Sequence, residues 1–390
     1  MFSEYFNTGF SHNPLIILRN ELTNRGIGIT DLTESNPTVC GFDYSVLDTD
    51  SLFRSERNFL YHPDAKGYAQ VRDNIASYYN SRYFSHSGKV NRDNIFLTSG
   101  TSESYSHLFK ILCNPGDEIL IPKPGYPLFE LLAGINYLNT GYYRLNYVNQ
   151  WNIDFNSLEN SISEKTKAII IVNPNNPTGS YLSVSGLREL SDLCSEYGIP
   201  LICDEVFYDY NLISTGGKAD FVNAEFDFPL FILNGLSKIS ATPQFKLGWI
   251  LINSPEKYLS KIINNLEIVC DTYLSVNAVI QNSFGQVFEF RSNIQEQIKQ
   301  RVQNNYKYLI SRFEKVYNIE GGWNAVLELP HTCNEENFAV NLLRNQNVFI
   351  HPGYFYDFDD SPKIVISLIL PAGIFKEAID KTIFEIRNIQ

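Results

Sequence analysis

Residues 229–253 read PLFILNGLSKISATPQFKLGWILIN. Two short apolar runs, PLFIL (229–233) and FKLGWILIN (245–253), have the length and composition of buried strands. Between them stand Ser237-Lys238 and, eight residues after that lysine, a second cation, Lys246. A lysine at the end of a buried strand is costly unless something uses its amine. The stretch therefore predicts a strand whose carboxyl end carries chemistry.

The same pattern recurs upstream. NIFLTSG (94–100) reads as a strand and turn, and TSESYSHLFKILC (101–113) as the helix after it. NPGDEILIPKP (114–124) reads as turn, strand and breaker, and KAIIIVNPNNPTG (167–179) as a buried strand running into a Pro/Asn/Gly turn. LSVSGLRELSDLCSEYG (182–198) is a helix with a glycine stop, and IPLICDEVF (199–207) is another strand. Apolar strands alternating with helices predict an α/β domain with a mostly parallel sheet. Ligands of such sheets sit at the carboxyl ends of the strands. Beyond about residue 254 helical periodicity dominates. A short strand (325–330), a helix (334–346) and two strands (347–353 and 363–370) follow, which reads as a smaller α+β domain. The expected division is an arm at 1–40, partly joined to the small domain, a large domain at 41–270 and a small domain at 271–390.

Composition sets the outer limits. The chain has 390 residues, 44% hydrophobic and 19% charged, which is globular. A formal net charge of −12 argues against nucleic acid as a partner. No stretch approaches the ~20 apolar residues of a membrane span, and no secretory signal is evident at the N-terminus. Cys40, Cys113, Cys194, Cys203, Cys270 and Cys333 form no CxxC pair and read as core thiols of a reducing, cytoplasmic compartment. His12, His62, His86, His107, His331 and His351 make no pair at ligand spacing, so no metal site is expected. His351, beside Pro352-Gly353, is the histidine best placed to face a site.

The strand-end groups form a chemical set. Gly100, Thr101 and Ser102 open a helix, whose unpaired N–H groups and dipole suit a phosphate. Asp204 ends an apolar strand, where a carboxylate needs a partner. Asn176 sits in a proline-flanked turn that can present its amide. Lys238 supplies an amine whose pKa desolvation can lower. Phosphate site, carboxylate, amide and amine are the parts that hold pyridoxal phosphate as a Schiff base.

With these residues in view, the sequence resembles the fold-type-I pyridoxal-phosphate enzymes, specifically the class I/II aminotransferases, from about Asp31 to Leu370. NPNNPTG (173–179), DEV (204–206) and Ser237-Lys238 with a cation eight residues on are the most specific pieces. YHPDAKG (61–67), SGTSE (99–103) and PGYP (124–127) support them in order and spacing. The resemblance implies a large domain with a mostly parallel seven-stranded sheet flanked by helices, plus the small domain. It implies that Lys238 holds the cofactor and shuttles the substrate proton, and that Asp204 pairs with the pyridine nitrogen. Asn176 would bond the ring oxygen, Tyr126 would stack on the ring, and Gly100, Thr101, Ser102 and Ser237 would bind the phosphate. Tyr61 would reach the neighbouring subunit's phosphate, which implies a homodimer. Asn36 would contribute to substrate recognition. The implied reaction is transaldimination at Lys238, a 1,3-proton shift and ketimine hydrolysis, between an amino donor and a 2-oxo acid. The alternative is another reaction on the same fold: a lyase, a decarboxylase or an oxidase. A regulator built on this fold would need a further N-terminal DNA-binding module, and only about 35 residues precede the matching region.

Four positions depart from the family pattern. Lys246 stands where an arginine is usual, so it neutralises a phosphate without a bidentate contact. Gly235 stands where a serine is frequent. Phe207 replaces a tyrosine three residues after the aspartate, with Tyr208 next to it as a substitute if the backbone shifts. The position expected to carry the carboxylate-binding arginine falls on Val365. Lys363, two residues earlier and on the same strand face, is the cation nearest to it.

Overall fold

A computed structural model describes residues 13–82, 90–212 and 217–388. His12 and His86, and the start of the expected arm, lie outside the described residues. The strands in chain order are β1 (Thr30–Asp31), β2 (Ile95–Thr98), β3 (Glu118–Lys123), β4 (Asn139–Val148), β5 (Gln150–Ile153), β6 (Thr166–Val172), β7 (Leu201–Asp204), β8 (Leu230–Gly235), β9 (Gly248–Asn253), β10 (Asn324–Glu328), β11 (Val348–Phe349), β12 (His351–Pro352) and β13 (Lys363–Ser367).

One sheet of eight strands has the order β2-β9-β8-β7-β6-β3-β4-β5. β8, β7, β6, β3 and β4 run parallel to one another. β9 is antiparallel to both β2 and β8, so β2 points the same way as the parallel set. The sheet has one strand more than the seven expected. The extra strand is β5, a short antiparallel return on the edge strand β4, where Asn149 takes a left-handed turn. Nothing in the polar alternation of NTGYYRLNYVNQWNI separates a hairpin from a single strand.

The sheet's two faces bury separate apolar cores. Ile95, Leu97, Leu120, Ile169, Leu201 and Cys203 face one of them, and Phe96, Ile119, Ile121, Ile170, Ile202 and Phe231 the other. Both faces are covered by helices, which is why β6, β7 and β8 read as unbroken apolar runs. The helix Val184–Tyr197 starts on a Ser183 cap and stops at left-handed Gly198, as the glycine stop predicts.

C-terminal to β9 come the helices Glu256–Tyr273, Ala278–Glu289 and Arg291–Arg312. A three-stranded antiparallel sheet, β10-β13-β12, follows. β1 pairs in parallel with β11, so the N-terminal segment is stitched onto the C-terminal part of the chain. The consequence for function is the edge where β2, β3, β6, β7 and β8 all end. Gly100, Tyr126, Asn176, Asp204 and Lys238 all follow these strand ends.

Candidate active site

The phosphate corner is built from backbone. Helix Thr101–Leu112 has Gly100 at its N-cap with no side-chain cap, so its first N–H groups are available to a ligand. Gly100 has φ 149°, a conformation few side chains adopt, and a Cβ placed there would lie 3.8 Å from Lys246 Nζ. The Lys246 ammonium therefore stands over the helix start, brought there by a left-handed turn (φ 51°) just before β9. Ser237 lies in the short helix Leu236–Ile239, part-exposed. Gly235 has a local cause: a Cβ there would be 3.0 Å from both Leu247 O and Gly248 Cα, where β8 and β9 draw together.

Asp204 is 7% exposed at the end of β7. Its Oδ1 accepts the Val206 N–H at 3.0 Å and its Oδ2 accepts the Tyr105 hydroxyl at 3.0 Å. Burial outweighs these contacts and pushes the carboxyl up to about 6, with the Lys238 charge also holding it down. A buried carboxylate in this state gains from one more cationic hydrogen-bond donor.

Lys238 Nζ sits 4.7 Å from the Trp323 ring centre and 5.3 Å from that of Phe207. Burial lowers its amine to about 8, against the pull of Asp204 and then Glu34. A phenylalanine where a tyrosine was usual thus adds hydrocarbon beside the amine instead of a hydroxyl. Asn176 precedes a cis peptide to Pro177, and its Oδ1 accepts from Asn324 Nδ2 at 2.7 Å. With Oδ1 taken, the Asn176 amide offers its N–H₂ to the crevice. Tyr126 follows the cis Lys123–Pro124 bond, is 42% exposed and packs edge-on against Phe129. Burial raises its hydroxyl, and the Asp204 charge adds to this.

Four more residues were expected to serve the site. Tyr61 is 81% exposed. The Asn36 side chain caps the turn Pro37–Val39 by accepting from Thr38 N–H and Oγ1 at its Oδ1, which leaves its N–H₂ as the group it can offer a ligand.

Tyr208 does not take the place of the missing tyrosine. After Asp204 the chain turns instead of continuing as strand, with Tyr208 N–H bonded to Glu205 O. The Tyr208 ring lies under the Arg82 guanidinium, 3.2 Å from its centre, while Phe207 faces Lys238. Lys363 is likewise not open to substrate. It is fully buried, and its ammonium is held by Asp360 and by Ser361 O and Oγ, beside the rings of Phe358 and Tyr317. A charge that deep needs such partners.

Sequence reasoning missed Tyr105, Trp323, Asn324 and Glu34. Tyr105 reads as a helical core residue, and only the packing of its helix on the sheet brings its hydroxyl to Asp204. Asn324 opens β10 of the small sheet and Trp323 lies in the bend just before it, more than eighty residues from Lys238 in the chain, and nothing local marks them.

The comparisons with known proteins meet this geometry directly. Residues 44–370 match the model of the family described as aminotransferase class I and II. The chain belongs to that family. This aminotransferase is 26% identical to a tyrosine aminotransferase of Dictyostelium discoideum, over 86% of this chain and 84% of that one. It is 32% identical to an S-alkyl-thiohydroximate lyase of Arabidopsis thaliana, over 59% of this chain and half of that one. Its fold matches that of an alanine aminotransferase from Pyrococcus furiosus with a TM-score of 0.85, at 23% identity and over 99% of both chains. It is a fold-type-I aminotransferase that depends on pyridoxal phosphate.

The residues present fit that cofactor. An uncapped helix start under Lys246 suits its phosphate, the raised Asp204 carboxyl suits its ring N–H, and the desolvated Lys238 amine suits its carbonyl carbon. Among the described residues no cluster could hold a metal ion, and no helix is long and apolar enough to cross a membrane.

Proposed function

We propose that this aminotransferase moves an amino group from an amino acid or related amine to a 2-oxo acid, with Lys238 and Asp204 as its catalytic residues. The observation that carries this reading is the convergence of Asp204, Lys238 and the Gly100–Lys246 corner on one sheet edge. When bound, pyridoxal phosphate supplies a carbonyl carbon for an amine and a ring that takes up electrons from the substrate Cα. Asp204, oriented by Tyr105 and the Val206 N–H, would accept the ring N–H and keep it protonated. Gly100, Thr101, Ser102, Ser237 and Lys246 would hold the phosphate. Asn176, oriented by Asn324, would donate to the ring oxygen, and Tyr126 would cover the ring face. Lys238 would take the proton from the substrate Cα and give it up again to complete the transfer. An amine lowered to about 8 is well suited to both steps near neutral pH.

The assay is a single turnover. The protein loaded with cofactor is mixed with a panel of amino acids and amines, and the released carbonyl product is counted. One 2-oxo acid or aldehyde released per site, with the donor's amino group retained by the protein and then recovered on an added 2-oxo acid, supports transamination. A second reading, a lyase on the same site, draws on Val365 in place of arginine and on the relative named as a lyase. Release of a fragment from the donor with no amino group retained by the protein selects that reading.

The homodimer belongs to the same proposal. Phe59 is 89% exposed, Tyr61 81% and Leu60 65%, which is a costly apolar run to leave in water. Tyr61 then serves the neighbouring phosphate corner. Six free cysteines, five of them buried, support a reducing, cytoplasmic setting.

A further inference from the structure

The three-stranded sheet presents one face to the active site. Asn324 in β10 reaches Asn176, so the side of β10 that carries Asn324 and Val326 faces the crevice. Residues directly opposite on neighbouring strands share a face. Ser367 lies opposite Asn324, Val365 opposite Val326, and Lys363 opposite Glu328. On the other side of β13, His351 in β12 lies opposite Val365. The face therefore has three rows: Asn324 and Ser367 next to the site, then Val326, Val365 and His351, and last Glu328 with the committed Lys363. His351 is the polar side chain of the middle row.

His351 is also held. Its Nδ1 is 3.1 Å from the Tyr356 hydroxyl, and its ring packs between those of Phe349 and Phe355. Tyr356 O in turn accepts the Gly125 N–H at 3.1 Å, which ties this pair to the turn that carries Tyr126. Nε2 takes no hydrogen bond among the described residues. Burial keeps the imidazole neutral, lowered to about 4; Asp31 and Arg19, the charged groups beside it, are paired with each other at 2.8 Å. In the tautomer in which the Tyr356 hydroxyl donates to Nδ1, Nε2 carries the hydrogen and is a neutral donor.

We propose that His351, positioned by Tyr356, binds the carboxylate of the amino donor across from Val365, by a hydrogen bond and without a guanidinium. The proposal rests on the reading of this site as that of an aminotransferase. Its consequence concerns substrate class. One neutral donor on a carboxylate gives a preference of about 10- to 100-fold, where a bidentate ion pair gives far more. The enzyme should therefore turn over amines and amino-acid amides that lack a free carboxylate, within about 100-fold of the parent amino acids.

The experiment compares kcat/KM for an amino acid with that of its amide and of its decarboxylated amine. Wild type, H351A and H351Q are used, each loaded with pyridoxal phosphate and shown to hold it by visible absorbance. Expected are a wild-type preference for the acid below about 100-fold, its collapse to about 3-fold in H351A through loss on the acid alone, and its recovery in H351Q, which keeps an N–H donor. A wild-type preference above about 1,000-fold, or the same ratio in all three proteins, overturns the proposal while leaving the aminotransferase intact. Wild-type protein that holds the cofactor but turns over no donor overturns the reading of the site, and this inference with it.

Discussion

The Tyr105 hydroxyl donates to Asp204 Oδ2 at 3.0 Å across a buried helix–sheet contact. Tyr105 itself is buried against Phe109 and Phe129, so removing one oxygen alters the carboxylate's environment more than the packing. A hydrogen bond to a buried charge contributes about 1.5–3 kcal/mol. Y105F should keep the fold and weaken pyridoxal phosphate binding roughly 10-fold or more. Titration of the cofactor-free protein, followed by visible absorbance, gives the dissociation constant; an unchanged constant removes Tyr105 from the account.

Asp204 also makes a prediction in pH. Its carboxyl is raised to about 6 in the folded chain, above an ordinary value near 3.9. The folded state then binds this proton more tightly than the unfolded state. The stability it contributes is fully present below about pH 4 and is lost as pH rises through 6. Thermal melts of cofactor-free D204N should decline less between pH 4.5 and 7.5 than those of wild type. Parallel declines would mean that Asp204 is not desolvated in this way.

For Lys238 the sign is reversed. Burial lowers its amine to about 8, so the neutral, nucleophilic form grows in as pH rises through that value. The rate of cofactor capture by the cofactor-free protein should rise with a midpoint near 8. Asp204 pulls this value upward, so D204N should move the midpoint down. Stopped-flow absorbance reads both, and a midpoint near the ordinary lysine range would contradict the description of the pocket.

Lys246 is a point charge over the helix start at Gly100. K246A should lower cofactor affinity about 10- to 100-fold, with the loss shrinking as salt rises. K246R should restore affinity or exceed it, because a guanidinium can bond two phosphate oxygens. Equal affinities in all three proteins would place the phosphate elsewhere.

Much of this was legible in the sequence because parallel strands have a fixed hand and end at one edge. Apolar runs closed by Ser99-Gly100, Asn173 to Gly179, Asp204 and Ser237-Lys238 were enough to predict where those groups meet. What escaped was set by packing between distant segments. Tyr208 was open as a substitute only if the backbone left the strand; the chain does turn at Glu205, but the turn leaves Phe207 facing Lys238 and Tyr208 against Arg82. Lys363 has the right strand face for a substrate cation, but Asp360 and Ser361, its near neighbours, take its charge. Asn324 reaches the site from another sheet and Trp323 from the bend before it, and no local pattern encodes that reach.

The central claim is that Lys238 is the residue that holds the cofactor. Protein loaded with pyridoxal phosphate is reduced with borohydride, digested and mapped by mass spectrometry. The account predicts one phosphopyridoxyl group per chain, on the peptide containing Lys238, and none in K238A. A modification spread over surface lysines, or an undiminished yield in K238A, would contradict it.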